Sequence, residues 1–153
     1  MSVDIEPFRR SGRMEGRCDC GAVRVRIDGA HVAAVGACHC GICQRWSGAL
    51  YASFDAEADA VTVEGEVATY ASTDWAERSF CPRCGSHLWY RSTVREAPAY
   101  ELMPGLFPAA AAFPLISEIY CDKAPAYAAL RGEHARASEA DYEAKRAARG
   151  DDR

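Results

Sequence analysis

Apolar and polar positions alternate with a period of two along much of the chain, the pattern of strands that bury one face. In AVRVRIDG, Val23, Val25 and Ile27 alternate with Arg24, Arg26 and Asp28, which predicts a half-buried strand ending at a turn. VAAVGAC predicts a second strand that runs into a cysteine cluster, ICQRWSG a short helical turn, and GALYASFDA a return to extended chain. DAVTVEG and EVATYAST read as a hairpin joined around Gly65. AERSFC and HLWYR lead into and out of a CPRCG knuckle, and AYELMPG and PLISEIYCDKAP read as late strands. The intervening PGLFPAAAAFP carries no helix signal. Only the tail is firmly helical. Ser138 with Asp141 three residues on makes a capping-type start, and Ala140, Ala144, Ala147 and Ala148 line one weak apolar face. Lys145, Arg146 and Arg149 occupy the end where cations are favoured.

Many short strands, turn punctuation and one terminal helix predict a mainly β, single-domain fold. The expected division is an N-terminal tail (1–13), a metal-binding β domain (14–136) and a C-terminal helix and tail (137–153). At 153 residues the chain is long enough to bury a core as one domain. Apolar content of 49% and charged content of 26% are ordinary globular values and argue against disorder. Eighteen basic residues against 22 acidic ones give a net charge of −4, so no basic excess invites nucleic acid or an anionic membrane. No apolar run approaches the roughly 18 residues of a membrane span, and MSVDIEPFRRSGR has no apolar leader core. The expected setting is cytoplasmic.

That setting makes the eight cysteines the feature to explain, because disulfides are rare in reducing compartments. Seven of them fall in three clusters. These are Cys18 and Cys20 in RCDCGAV, Cys38, Cys40 and Cys43 in ACHCGICQRWSG, and Cys81 and Cys84 in FCPRCGSHL. A thioredoxin-like role for CPRC would leave the other clustered cysteines idle. Tight CxC and CxxC spacings instead converge thiolates on a metal, and all-thiolate ligation favours zinc, with zinc–sulfur bonds of about 2.3 Å, or an iron–sulfur cluster. A glycine follows Cys20, Cys40 and Cys84, where positive φ would let the chain turn and an N–H could reach a sulfur. Cys121, in the alternating LISEIYCD, reads as a buried bystander.

Seven ligands do not divide into two closed tetrahedral sites. The simplest partition joins Cys18, Cys20, Cys81 and Cys84 into a closed structural site and leaves Cys38, Cys40 and Cys43 as an open, catalytic-type site. His39, His87 or Cys121 could supply an eighth ligand, and the spacing alone does not choose among them.

The run GRCDCGAVRV, ACHCGICQRWSGA, FCPRCGSHLWY and PLISEIYCDKAP, from about Gly16 to Ala126, resembles the glutathione-dependent formaldehyde-activating enzyme family, also called Gfa-like or centromere protein V-type. The resemblance implies an Mss4-like, β-tent fold with two zinc ions per chain. It implies a structural zinc on Cys18, Cys20, Cys81 and Cys84 and a catalytic zinc on Cys38, Cys40 and Cys43. The implied activity is that of a carbon–sulfur lyase, condensing glutathione with formaldehyde to S-hydroxymethylglutathione. Such chemistry needs a thiol docked and deprotonated at the open position and a donor for the resulting alkoxide. His39, Tyr51 and water are the candidate donors, and Arg45 and Trp46 could receive a glutathione carboxylate and line a pocket. The alternatives are a non-catalytic zinc-stapled protein-binding module, or the same chemistry with a different thiol. Exposed strand edges would allow a homodimer, which nothing in the sequence demands.

Overall fold

The computed structural model describes residues 3–150. Among the described residues the strands are β1 (Arg9–Arg17), β2 (Arg24–Val32), β3 (Val35–Cys38), β4 (Tyr51–Ala56), β5 (Val61–Glu64), β6 (Ala68–Thr73), β7 (Ala76–Phe80), β8 (His87–Ser92), β9 (Tyr100–Leu102), β10 (Leu115–Ile119) and β11 (Ala135–Ala137). The α-helices are α1 (Gly41–Ser47) and α2 (Glu139–Ala148). The architecture is mainly β with a short C-terminal helix, as the alternation predicts. Among the described residues, no helix is long and apolar enough to cross a membrane. The chain divides into two compact units.

One unit comprises Ile5–Ala34 and Ser53–Phe113. β1 and β2 form an antiparallel ribbon running from Arg9 opposite Val32 to Arg17 opposite Arg24. β1 begins inside the segment expected to be a tail. The alternation is hard to see there because the inward positions are Gly12, Met14 and Gly16, of which only Met14 is a large apolar residue. A Cβ on Gly16 would lie 2.8 Å from the Phe107 ring, so the glycine admits that ring to the core. The core gathers Met14, Val25, Ile27, Phe54, Leu88, Leu102 and Phe107. Phe54 meets Phe107 edge-on at 5.3 Å between ring centres. Each fully buried side chain of this kind contributes about 1.5–3 kcal/mol.

The expected hairpin around Gly65 does not form. β5 pairs antiparallel with β2, setting Val63 opposite Val25 and Val61 opposite Ile27, whereas β6 pairs with β7. The inward valines of β5 find a better apolar partner in β2 than in the polar β6. At Gly65 (φ +101°) the chain passes so close to Ala22 that a Cβ would sit 2.1 Å from its carbonyl oxygen. That close approach, not a reversal, is what requires the glycine.

The face of β4 and β9 away from the core is polar. Glu101 stands directly across from Asp55 on β4 and Tyr90 on β8. Burial first, and then the Asp55 carboxylate, push the Glu101 carboxyl up to about 8, against the pull of Arg78, Arg95 and the Ser53 hydroxyl. Native Glu101 therefore keeps a proton that the unfolded chain releases near its ordinary 4.5, and stability falls as pH rises between those values. Glu101→Gln cannot ionise. Its melting temperature is expected to match the parent's near pH 4.5 and to exceed it increasingly up to about pH 8. Melts across that range test this, and a gap independent of pH would refute it.

The other unit contains Val35–Ala52 and the chain from Pro114 onward. Here β10 lies between β3 and β11, parallel to both. The three-residue β11 carries no legible alternation and is not anticipated from sequence. α2 begins as expected: the Ser138 hydroxyl accepts from the Asp141 N–H at 3.2 Å, and the Asp141 carboxylate accepts from the Ser138 N–H at 3.3 Å. Asp122 accepts from the Glu139 N–H at 2.7 Å, and the Tyr120 hydroxyl donates to Glu143, which ties the helix to the end of β10.

Candidate metal centres

In the first unit, Cys18 follows β1 and Cys81 follows β7, and each opens a tight turn. The Cys18 N–H donates to the Val23 carbonyl at 3.0 Å, and the Cys81 N–H donates to the Ser86 carbonyl at 2.9 Å. Gly21 (φ +75°) and Gly85 (φ +76°) take the left-handed backbone expected of them. Their N–H groups go to the carbonyls of Cys18 and Cys81 rather than to sulfur. It is Val23 whose N–H reaches the Cys18 Sγ, at 3.2 Å. The Ser86 hydroxyl joins the turns, accepting from the Asp19 N–H at 3.1 Å.

The result brings Cys18, Cys20, Cys81 and Cys84 together with all four Sγ atoms within 4.8 Å of one another. Cys18 to Cys20 is 3.6 Å and Cys20 to Cys81 is 3.8 Å. A tetrahedral ion with sulfur bonds of about 2.3 Å needs sulfurs about 3.8 Å apart, so the donor set fits zinc. Cys18 and Cys81 are fully buried against the core, while Cys20 and Cys84 face solvent. The Ser86 hydroxyl, first among several donors, brings the Cys84 thiol down to about 5.

In the second unit, Cys38 ends β3, Cys40 is the N-cap of α1, and Cys43 lies in its first turn. Their three Sγ atoms also lie within 4.8 Å of one another. The Cys43 N–H donates to the Cys40 Sγ at 3.4 Å. Cys40 is pulled far below the ordinary thiol range, first by the Cys38 thiol and then by the Cys43 thiol. Cys40 and Cys43 in turn push Cys38 up, with burial adding to them. Gly41 differs from the other two glycines. It opens the helix, and the space a side chain would fill is 3.4 Å from the exposed Arg45 guanidinium.

Among the described residues, neither His39, His87 nor Cys121 joins either thiol group, which leaves the arrangement at four and three. His39 is fully buried and its Nε2 donates to Glu118 Oε1 at 2.7 Å. Glu118 Oε2 accepts from His134 Nε2 at 2.7 Å and forms an ion pair with Arg136, whose Nε lies 3.3 Å away. Burial pushes Glu118 up, but the two imidazole donors outweigh it and leave the carboxyl below its usual range. Glu118 and His134 are not singled out by the sequence reading. The available signal was a carboxylate on the same strand face as Ile116 and Tyr120, where burial demands a partner.

A family model described as glutathione-dependent formaldehyde-activating enzyme matches residues 13–123. The chain is 35% identical over 85 residues to a protein of Halomonas elongata named a putative glutathione-dependent formaldehyde-activating enzyme, covering 50% of this chain and 54% of that one. It is 31% identical over 87 residues to an uncharacterized lyase of Schizosaccharomyces pombe, covering 56% and 63%. The chain thus spans less than two thirds of either relative. A solved Rhodobacter sphaeroides protein is 23% identical, with a TM-score of 0.48 over 67% of this chain and 99% of that one. With the match running through all three cysteine clusters, the chain belongs to the glutathione-dependent formaldehyde-activating enzyme family.

Proposed function

We propose that the chain is a zinc-dependent carbon–sulfur lyase-type enzyme, joining glutathione and formaldehyde to S-hydroxymethylglutathione. The observation that carries the reading is the unequal thiol count. Four thiols close one site, and three leave the other with a free position. In this reading Cys18, Cys20, Cys81 and Cys84 hold a structural zinc, and Cys38, Cys40 and Cys43 hold a catalytic one.

Zinc at the three-cysteine site would supply an open position where a thiol binds and loses its proton. The chain's own part is to hold three thiolates in place and to orient the incoming peptide. Arg45, exposed and on the same short helix as Cys43, suits a carboxylate of the thiol substrate. His39 is not placed to protonate an alkoxide, being fully buried with its Nε2 committed to Glu118.

The test is exchange spectroscopy by NMR on formaldehyde and glutathione at equilibrium. Zinc-loaded protein is expected to accelerate exchange between free and hydroxymethylated glutathione well beyond the spontaneous rate. No acceleration would remove the formaldehyde assignment. Acceleration with free cysteine equal to that with glutathione would remove glutathione as the preferred thiol.

A further inference from the structure

We propose that Glu118 is a positioning residue for the three-cysteine centre, acting through His39 to hold Cys38 and Cys40 in a metal-ready arrangement. The inference rests on the metal-centre reading above and concerns residues that touch neither the ion nor a substrate.

His39 lies between two of the three cysteines, so any rotation of the backbone at this residue swings Cys38 and Cys40 apart. The molecule restrains it on every side. Its N–H donates to the Ile119 carbonyl at 3.0 Å, and its carbonyl accepts from Gln44 Nε2 at 2.6 Å. Its ring donates to Glu118 at 2.7 Å. The other ring nitrogen, Nδ1, is buried with no hydrogen-bond partner among the described residues, so the ring's tautomer is set by its bond to Glu118.

Glu118 is in turn fixed from the opposite side. It pairs across the strands with Ala37 of β3 and Arg136 of β11, and its second oxygen takes His134 and Arg136. A carboxylate only accepts, so both imidazoles present Nε2–H to it. The device therefore spans three parallel strands as His39, Glu118 and His134. Moving the carboxylate would strand buried N–H groups on both sides, which makes it a stiff support. Stiffness matters here because three thiolates crowded together repel one another. A loop free to relax would splay them and weaken capture of the ion.

The decisive variant is Glu118→Gln. The two imidazoles address different oxygens, and a carboxamide replaces one of those oxygens with an NH2, which would face one of the Nε2–H groups donor to donor. Zinc release from the fully loaded protein into a chromophoric chelator is expected to show two phases, and the phase missing from Cys38→Ser belongs to the three-cysteine centre. Glu118→Gln should speed that phase by about tenfold or more and leave the other unchanged. The ligand-field bands of cobalt(II) in the same centre should shift, and the His39 nitrogen resonances should lose the single Nε2–H pattern. His134→Asn keeps the His39 bond but removes the rear support. It should give a smaller acceleration in the same direction, and it decides the matter if Glu118→Gln does not fold. Unchanged release and bands in both variants would overturn the proposal, as would equal acceleration of both phases. A single release phase in the parent protein would overturn the three-cysteine centre itself, and this inference with it.

Discussion

Cys81→Ser is expected to leave a chain with no cooperative unfolding transition and at most one zinc. Cys81 is fully buried, and its partner Cys20 lies 61 residues away in sequence. Serine keeps its proton at neutral pH and is a poor zinc ligand, so the closed site loses a corner. Structural zinc sites in small folds are worth about 10–16 kcal/mol in apparent binding energy. The whole net stability of a domain is about 5–15 kcal/mol. The larger number wins, and the unit that contains this site should not hold together. Zinc analysis with circular-dichroism melting measures both outcomes. A cooperative melt within a few degrees of the parent's would show that these thiols are not the staple.

Cys38→Ser should behave in the opposite way. Cys38 is half-exposed at the end of β3, and its partners Cys40 and Cys43 follow within one short loop. Among the described residues, its sulfur groups with those two near neighbours in sequence. The variant is expected to melt cooperatively within a few degrees of the parent and to bind one zinc instead of two. Its exchange of hydroxymethylglutathione should fall to the spontaneous rate. Unfolding like that of Cys81→Ser would abolish the division into a structural and a reactive centre. Parent-like exchange in a folded Cys38→Ser protein would instead remove the three cysteines from the chemistry.

The two thiol groups could be found without a structure because side chains that converge on one point are written largely in short local spacings. CxC, CxCxxC and CxxC each span at most six residues, and counting them gives the same four-plus-three grouping that the structure brings together. Strands with bulky inward residues, such as Val25 and Ile27 in β2, were equally plain. What escaped was long-range partner choice. β5 and β6 look like a hairpin from their adjacency, yet Val61 and Val63 pair with β2. β1 hides its inward face behind glycines, and β11 is too short to alternate. The pattern predicts a turn at the glycine after Cys40 as at its two counterparts, whereas this glycine opens a helix beside Arg45. Glu118 and His134 escaped for a related reason. A buried ion network is specified by three strands at once, and no window along the chain contains it.

The parallel pairing of β3 with β10 has a bearing on how the protein is made. His39 and Glu118 are separated by 79 residues, and parallel strands of this kind close late, since the loop entropy is spent before any contact rewards it. During synthesis the three thiols of the CHCGIC loop emerge long before the strand that steadies them. In that interval they sit a few residues apart on unrestrained chain, close enough to oxidise pairwise. Yield of correctly assembled protein is therefore expected to fall when the nascent chain meets an oxidising medium, well before any substrate arrives.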